Sequence, residues 1–136
     1  MNGLTSFDPV HVEAFLRDWT DWFDAAKYRE MAACYAEDAR LVATGTPTLR
    51  GRAPIERFWQ LASERARSTG VRRTIMLEQA ESGGDVGYMR GTVALALPGA
   101  AEPAVVRFAT LWKRQADGVW RLVEDISCPA PQGPAG

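Results

Sequence analysis

Among 136 residues there is a single histidine, His11, and only two cysteines, Cys34 and Cys128. Ser-His-Asp or Cys-His catalysis would hang on that one imidazole, and no G-x-S-x-G accompanies it. A facial triad or H-E-x-x-H needs more histidines, so no metal and no cofactor are expected. The cysteines sit in no C-x-x-C spacing and make no disulfide framework; reduced thiols in a cytoplasmic protein are the expectation. No apolar run approaches the roughly 18 residues of a membrane span. Residues 1–20 carry no basic n-region, and His11, Glu13, Arg17 and Asp18 interrupt any apolar one, so no signal peptide is expected. With a net charge of −1, nothing draws the chain to nucleic acid or anionic lipid. Glycine and proline are scattered without repeat, which excludes collagen and solenoid arrays.

What is present is 46% apolar residues, including five tryptophans, five phenylalanines and three tyrosines, enough for one domain with an ordinary core. Charge is unevenly spread. Residues 1–38 hold eight acids against Arg17, Lys27 and Arg29, a net −5, while residues 40–73 hold eight arginines against Glu56 and Glu64, a net +6. Such halves are expected to face each other or a symmetry mate; an arginine-lined anion site is the other reading.

Asp8-Pro9 followed by Val12, Phe15, Leu16, Trp19, Trp22 and Phe23 predicts an N-capped helix with proline in its first turn and one wide apolar stripe. A short second helix carries Tyr28, Met31, Ala32 and Tyr35 and ends before Glu37-Asp38. A brief strand follows at residues 40–44, then a turn at Gly45-Thr46-Pro47. Gly51-Arg52-Ala53-Pro54 opens a third helix with Ile55, Phe58, Trp59 and Ala62 on its buried stripe, stopped by Gly70. Residues 71–81, 86–97, 104–115 and 119–127 form four long strands joined by short turns, one of them containing Gly83-Gly84, which implies antiparallel hairpins. Three helices and then a meander mark an α+β domain with its helices on one face of a curved sheet. One domain over residues 1–128 and a frayed tail over 129–136 are expected.

The run Tyr35-Ala36-Glu37-Asp38-Ala39-Arg40-Leu41-Val42, with Gly45, Gly51-Arg52-Ala53-Pro54-Ile55 and Phe58-Trp59, resembles the nuclear transport factor 2-like superfamily, in its SnoaL-like and ketosteroid isomerase-like branch. So does Leu111-Trp112-Lys113-Arg114, with Asp117-Gly118 and residues 120–125. The resemblance covers roughly residues 8–128. It implies a cystatin-like α+β barrel, a cone-shaped curved antiparallel sheet wrapped around three N-terminal helices, with a pocket between the sheet and the first helix. Bulky Trp19, Trp22 and Phe23 facing Ala94, Ala96, Ala104 and Ala109 fit such a pocket; interdigitation of large and small side chains in a solid core is the other reading.

Ketosteroid isomerase uses an Asp base with a Tyr and a protonated Asp. The matching positions here are Ala43 for the base, Trp19 for the Tyr and Thr110 for the protonated Asp. Ala43 accepts no proton and Trp19 offers only an indole N–H, so conventional ketosteroid isomerase activity is not expected.

Alternation on the last strand selects another carboxylate. Arg121, Val123, Asp125 and Ser127 share one face; Trp120, Leu122, Glu124 and Ile126 share the other. By resemblance the Asp125 face lines the pocket, where desolvation would raise that carboxyl toward a general-base value. The other face would then give an apolar dimer patch of Trp120, Leu122 and Ile126. A bulge would exchange Glu124 for Asp125, and a purely structural Asp125 is the competing role. Trp19, Phe23, Ala43, Phe58, Phe108, Thr110, Trp112 and Val123 are the candidate pocket walls. Alternation points one of Arg72-Arg73 inward or toward the dimer; a buried arginine there could pair with Asp125 or hold a substrate carboxylate. His11 is expected in solvent and Cys34 in packing. Three functions remain: a cofactor-independent isomerase, cyclase or lyase acting on a small hydrophobic carbonyl compound, a non-catalytic binder of a hydrophobic small molecule, and a dimerisation module, against which stands the lack of a second domain to assemble.

Overall fold

The computed structural model describes residues 3–131. Helix α1 (Pro9–Asp24) begins where the sequence places it: Asp8 is the N-cap, its carboxylate accepting from the His11 amide at 3.0 Å, and Pro9 fills the first turn. The His11 ring lies against the same carboxylate in solvent. The stripe at spacings of three and four buries Val12, Phe15, Trp19, Trp22 and Phe23. Helix α2 (Tyr28–Ala33) is shorter than its periodicity suggests. Tyr35 is not helical; it opens strand β1 (Tyr35–Ala43), which starts five residues earlier than predicted. Strand β2 (Leu49–Arg50) was not foreseen and pairs with β1. Helix α3 (Arg52–Thr69) ends at Gly70, whose φ of 77° provides the left-handed cap that lets its neighbour Val71 donate to Ala66.

Strands β3 (Arg72–Gly83), β4 (Val86–Ala96), β5 (Ala104–Arg114) and β6 (Trp120–Pro129) form the predicted meander. The sheet order is β2-β1-β6-β5-β4-β3, antiparallel throughout except for the parallel pair β1 and β6. This is the expected α+β architecture, a curved sheet with helices on its inner side. Three irregularities bend the strands: between Tyr35 and Arg40 in β1, between Leu77 and Gln79 in β3, and at Val123 in β6.

The bulge in β6 corrects the expected dimer patch. Leu111 faces Glu124, but the next residue, Trp112, faces Leu122, so Val123 is skipped and the alternation reverses there. Trp120 and Leu122 therefore turn inward and are 5% and 3% exposed, while Ile126 stays outside at 45%. Trp120 lies beneath Phe7 at 5.1 Å and bridges to Leu4. Of the two expected destinations of the opposite charges, pairing within the chain is not seen: among the described residues no ion pair joins an acid of residues 8–38 to an arginine of residues 40–73. Arg40 instead grips Glu124 of β6 with two nitrogens, and Arg52 donates to the Tyr35 carbonyl at 2.7 Å. The chain is ordered past the predicted domain end, Pro129 pairing with Val106 and the Ala130 amide donating to Val105 at 2.9 Å; the remainder of the expected tail, residues 132–136, lies outside the described residues. Among the described residues no helix is long and apolar enough to cross a membrane.

Candidate functional site

Between the concave face of the sheet and helices α1 and α3 lies a cavity of about 850 Å³. Its walls are apolar and aromatic apart from Arg65, Thr69, Arg73, Thr110, Asp125 and Ser127. Asp125 sits on β6 directly opposite Thr110 of β5, beyond the bulge that lets this part of the strand face inward. The parallel pairing of β1 with β6 brings the first residue of β1 to it. The Tyr35 hydroxyl, fully buried, donates to Asp125 Oδ2 and accepts from the Trp59 indole N–H of α3 at 2.9 Å. Trp59, Tyr35 and Asp125 thus form a hydrogen-bonded chain from helix to sheet, ending on a carboxylate.

That carboxylate is surrounded by protein, and its accessible surface opens on the cavity. Burial pushes its pKa above the ordinary aspartate value, against the opposing pull of the Tyr35 hydrogen bond and the Arg73 charge. The Tyr35 phenol is pushed well above its usual range, first by burial and then by the neighbouring Asp125 charge. It is a hydrogen-bond donor and not a phenolate at neutral pH. Asp125 Oδ2 is held by Tyr35, while among the described residues no protein donor reaches Oδ1, leaving that oxygen for whatever enters the cavity.

Arg73, the inward member of the Arg72-Arg73 pair, lies on β3 across the cavity. Its guanidinium stacks 4.5 Å from the Phe23 ring centre and 5.5 Å from that of Trp59, which fixes its position without hydrogen bonds. Of the expected wall residues, Trp19, Phe23, Phe58, Phe108, Thr110 and Trp112 do line the cavity. Trp19 meets Trp59 edge-on at 5.4 Å, and the Trp112 indole N–H donates to Thr110 at 2.9 Å. Ala43 and Val123 are corrections. Ala43 lies at the end of β1 with its methyl packed against the core, and Val123 is the residue the bulge displaces; neither borders the cavity. Cys34, buried with its thiol donating to the Glu30 carbonyl, is pushed up to about 12 by burial and is inert as a nucleophile at neutral pH. Among the described residues no three His, Cys, Asp or Glu side chains converge as a metal site.

Residues 12–131 match the SnoaL-like domain family. The chain belongs to that family. Solved structures similar to this SnoaL-like domain include an NTF2-like protein with a cystatin-like fold from Novosphingobium aromaticivorans, at TM-score 0.74 and 16% identity, covering 94% of each chain. A ketosteroid isomerase-like protein from Erwinia carotovora atroseptica aligns at TM-score 0.68 and 17% identity over 88% of this chain and 94% of its own. An NTF2-like protein of unknown function from Pseudomonas putida does so at 0.73 and 14%, over 93% and 88%. At these identities the likeness concerns the fold. No curated protein matches in sequence.

Sequence reasoning missed Tyr35 and Trp59 as parts of this site. Trp59 was visible as a member of the α3 stripe, but its indole N–H carried no signal of a partner. Arg73 was legible as one of two candidates, and alternation with inward Ile75 on the same strand was the signal that separates it from Arg72.

Proposed function

We propose that this SnoaL-like domain is a cofactor-independent acid–base enzyme that moves a proton on a small hydrophobic carbonyl compound, as in an isomerase, cyclase or lyase. The observation that carries the reading is the Trp59–Tyr35–Asp125 chain delivering a desolvated carboxylate to an apolar cavity. Asp125 Oδ1 removes a proton from the carbon beside the carbonyl; the C–H pair stays with the substrate as an enolate, and Asp125 returns the proton at the same or another carbon. Tyr35 and Trp59 hold the carboxylate in place, and the aromatic walls keep water from competing for the proton.

Binding without turnover is the second reading, supported by the apolar lining itself. Deuterium wash-in separates the two. Hydrophobic ketones and β-dicarbonyl compounds are incubated with the protein in D₂O and followed by NMR. The enzyme reading expects exchange at the carbon beside the carbonyl, falling about 100-fold or more in Asp125→Asn. Exchange unaffected by that substitution removes Asp125 from the chemistry, and binding without exchange leaves the carrier.

A further inference from the structure

Arg73 places a buried cation in the cavity wall, and among the described residues no hydrogen-bonding partner accounts for it. Its Nη1 is buried with no hydrogen-bond partner, and no other nitrogen of the guanidinium donates to a protein acceptor among the described residues. Asp125 is close enough for each charge to act on the other, yet beyond ion-pair contact; Tyr35 and Asp24 act on Arg73 only more weakly. A guanidinium in this position gives up hydration and receives in return the faces of Phe23 and Trp59 and the pull of Asp125 from beyond contact, with no hydrogen bond. An apolar side chain would fill the same space at lower cost. The planar fork of donors suits a carboxylate, which it can meet with two parallel hydrogen bonds. Arg65 also borders the cavity, but it is exposed and hydrated, so an anion gains far less by meeting it.

We propose that the cavity takes a hydrophobic carboxylate, an apolar body lying against the aromatic walls with its charged head on Arg73. The inference rests on the reading of the cavity as a ligand site and names the class of compound it receives; it does not depend on turnover. For a carbonyl substrate, the carboxylate on Arg73 fixes which end faces Asp125, so Arg73 is a specificity-determining residue.

The test compares decanoate with methyl decanoate, two probes of nearly equal apolar body that differ in charge, by calorimetric titration at neutral pH. Decanoate is expected to bind about tenfold tighter or better, the worth of a hydrogen bond to a charged group. Arg73→Met should erase that preference while leaving ester affinity in place, Arg73→Lys should keep part of it, and Arg65→Met should keep it whole. Equal affinities in the unmodified protein overturn the proposal while sparing the ligand site, and so does a preference that survives Arg73→Met. Failure of both probes to bind overturns the ligand site and the proposal together. The comparison of probes in the unmodified protein holds even if a variant fails to fold.

Discussion

Replacing Tyr35 by Phe removes one oxygen and leaves the ring's packing intact, yet two groups depend on that oxygen. The Trp59 indole N–H loses its acceptor at 2.9 Å, and Asp125 Oδ2 loses its donor. The indole nitrogen is buried and the carboxylate meets solvent only through the cavity, so each orphan costs about 1–3 kcal/mol, with the carboxylate at the upper end; together the loss is about 2–5 kcal/mol. At an unfolding entropy of about 2.1 cal/mol/K per residue, a chain of 136 residues melts roughly 7–17 °C lower. The loss has a pH dependence of defined sign. Burial raises the Asp125 pKa in the folded protein and the Tyr35 hydrogen bond opposes that rise. Without it the pKa climbs further, and the penalty of Tyr35→Phe grows as pH rises from below the ordinary carboxylate range to mildly alkaline values. Urea denaturation at both ends of that range measures the change. A double-mutant cycle with Asp125→Asn should return a coupling of about 1.5–3 kcal/mol. A loss below about 0.5 kcal/mol at alkaline pH, the range of an ordinary surface substitution, would refute the hydrogen-bonded chain as the support of the site.

Other substitutions probe the remaining parts. Because the folded Asp125 pKa lies above the unfolded one, its stabilising contribution is present at low pH and lost as pH rises through the folded value; in Asp125→Asn the stability difference should swing toward the variant with rising pH, and parallel profiles would show that the carboxyl is not desolvated. Thr110→Val removes the acceptor of the Trp112 indole and should cost about 1–3 kcal/mol in urea unfolding; a neutral outcome would mean that bond carries nothing. Gly91→Ala places a methyl 2.2 Å from the Met76 carbonyl oxygen and 3.1 Å from the Leu77 Cα, so the β3 and β4 backbones must part, at about 1–3 kcal/mol or more. An unchanged melting temperature would contradict that close approach.

Local pattern carries the elements whose contacts lie close in sequence. Helix α1 announces itself through a capping aspartate, a proline and a stripe of aromatics, all within a few turns, and the β3–β6 meander through alternation broken by turn residues. Tyr35 was misplaced because its spacing from Tyr28, Met31 and Ala32 fits a helix; what pulls it into a strand is pairing with β6, most of the chain away. The same long-range pairing hid the Tyr35–Asp125 contact, so the carboxylate of the site was legible while the group that holds it was not. The arginine-rich middle suggested pairing with the acidic residues 1–38 or with a symmetry mate; within the chain, its inward member Arg73 rests on aromatic faces.

The skipped residue in β6 separates two demands that a regular strand cannot meet at once. Five residues apart on an unbroken strand, Trp120 and Asp125 must face opposite ways, so sealing the base of the cone with Trp120 would turn Asp125 to solvent. Val123 resets the phase and lets one strand bury Trp120 in the core and still present Asp125 to the cavity. An alignment drawn without a gap through Val123 keeps inward and outward faces in step only with a strand that carries the same bulge.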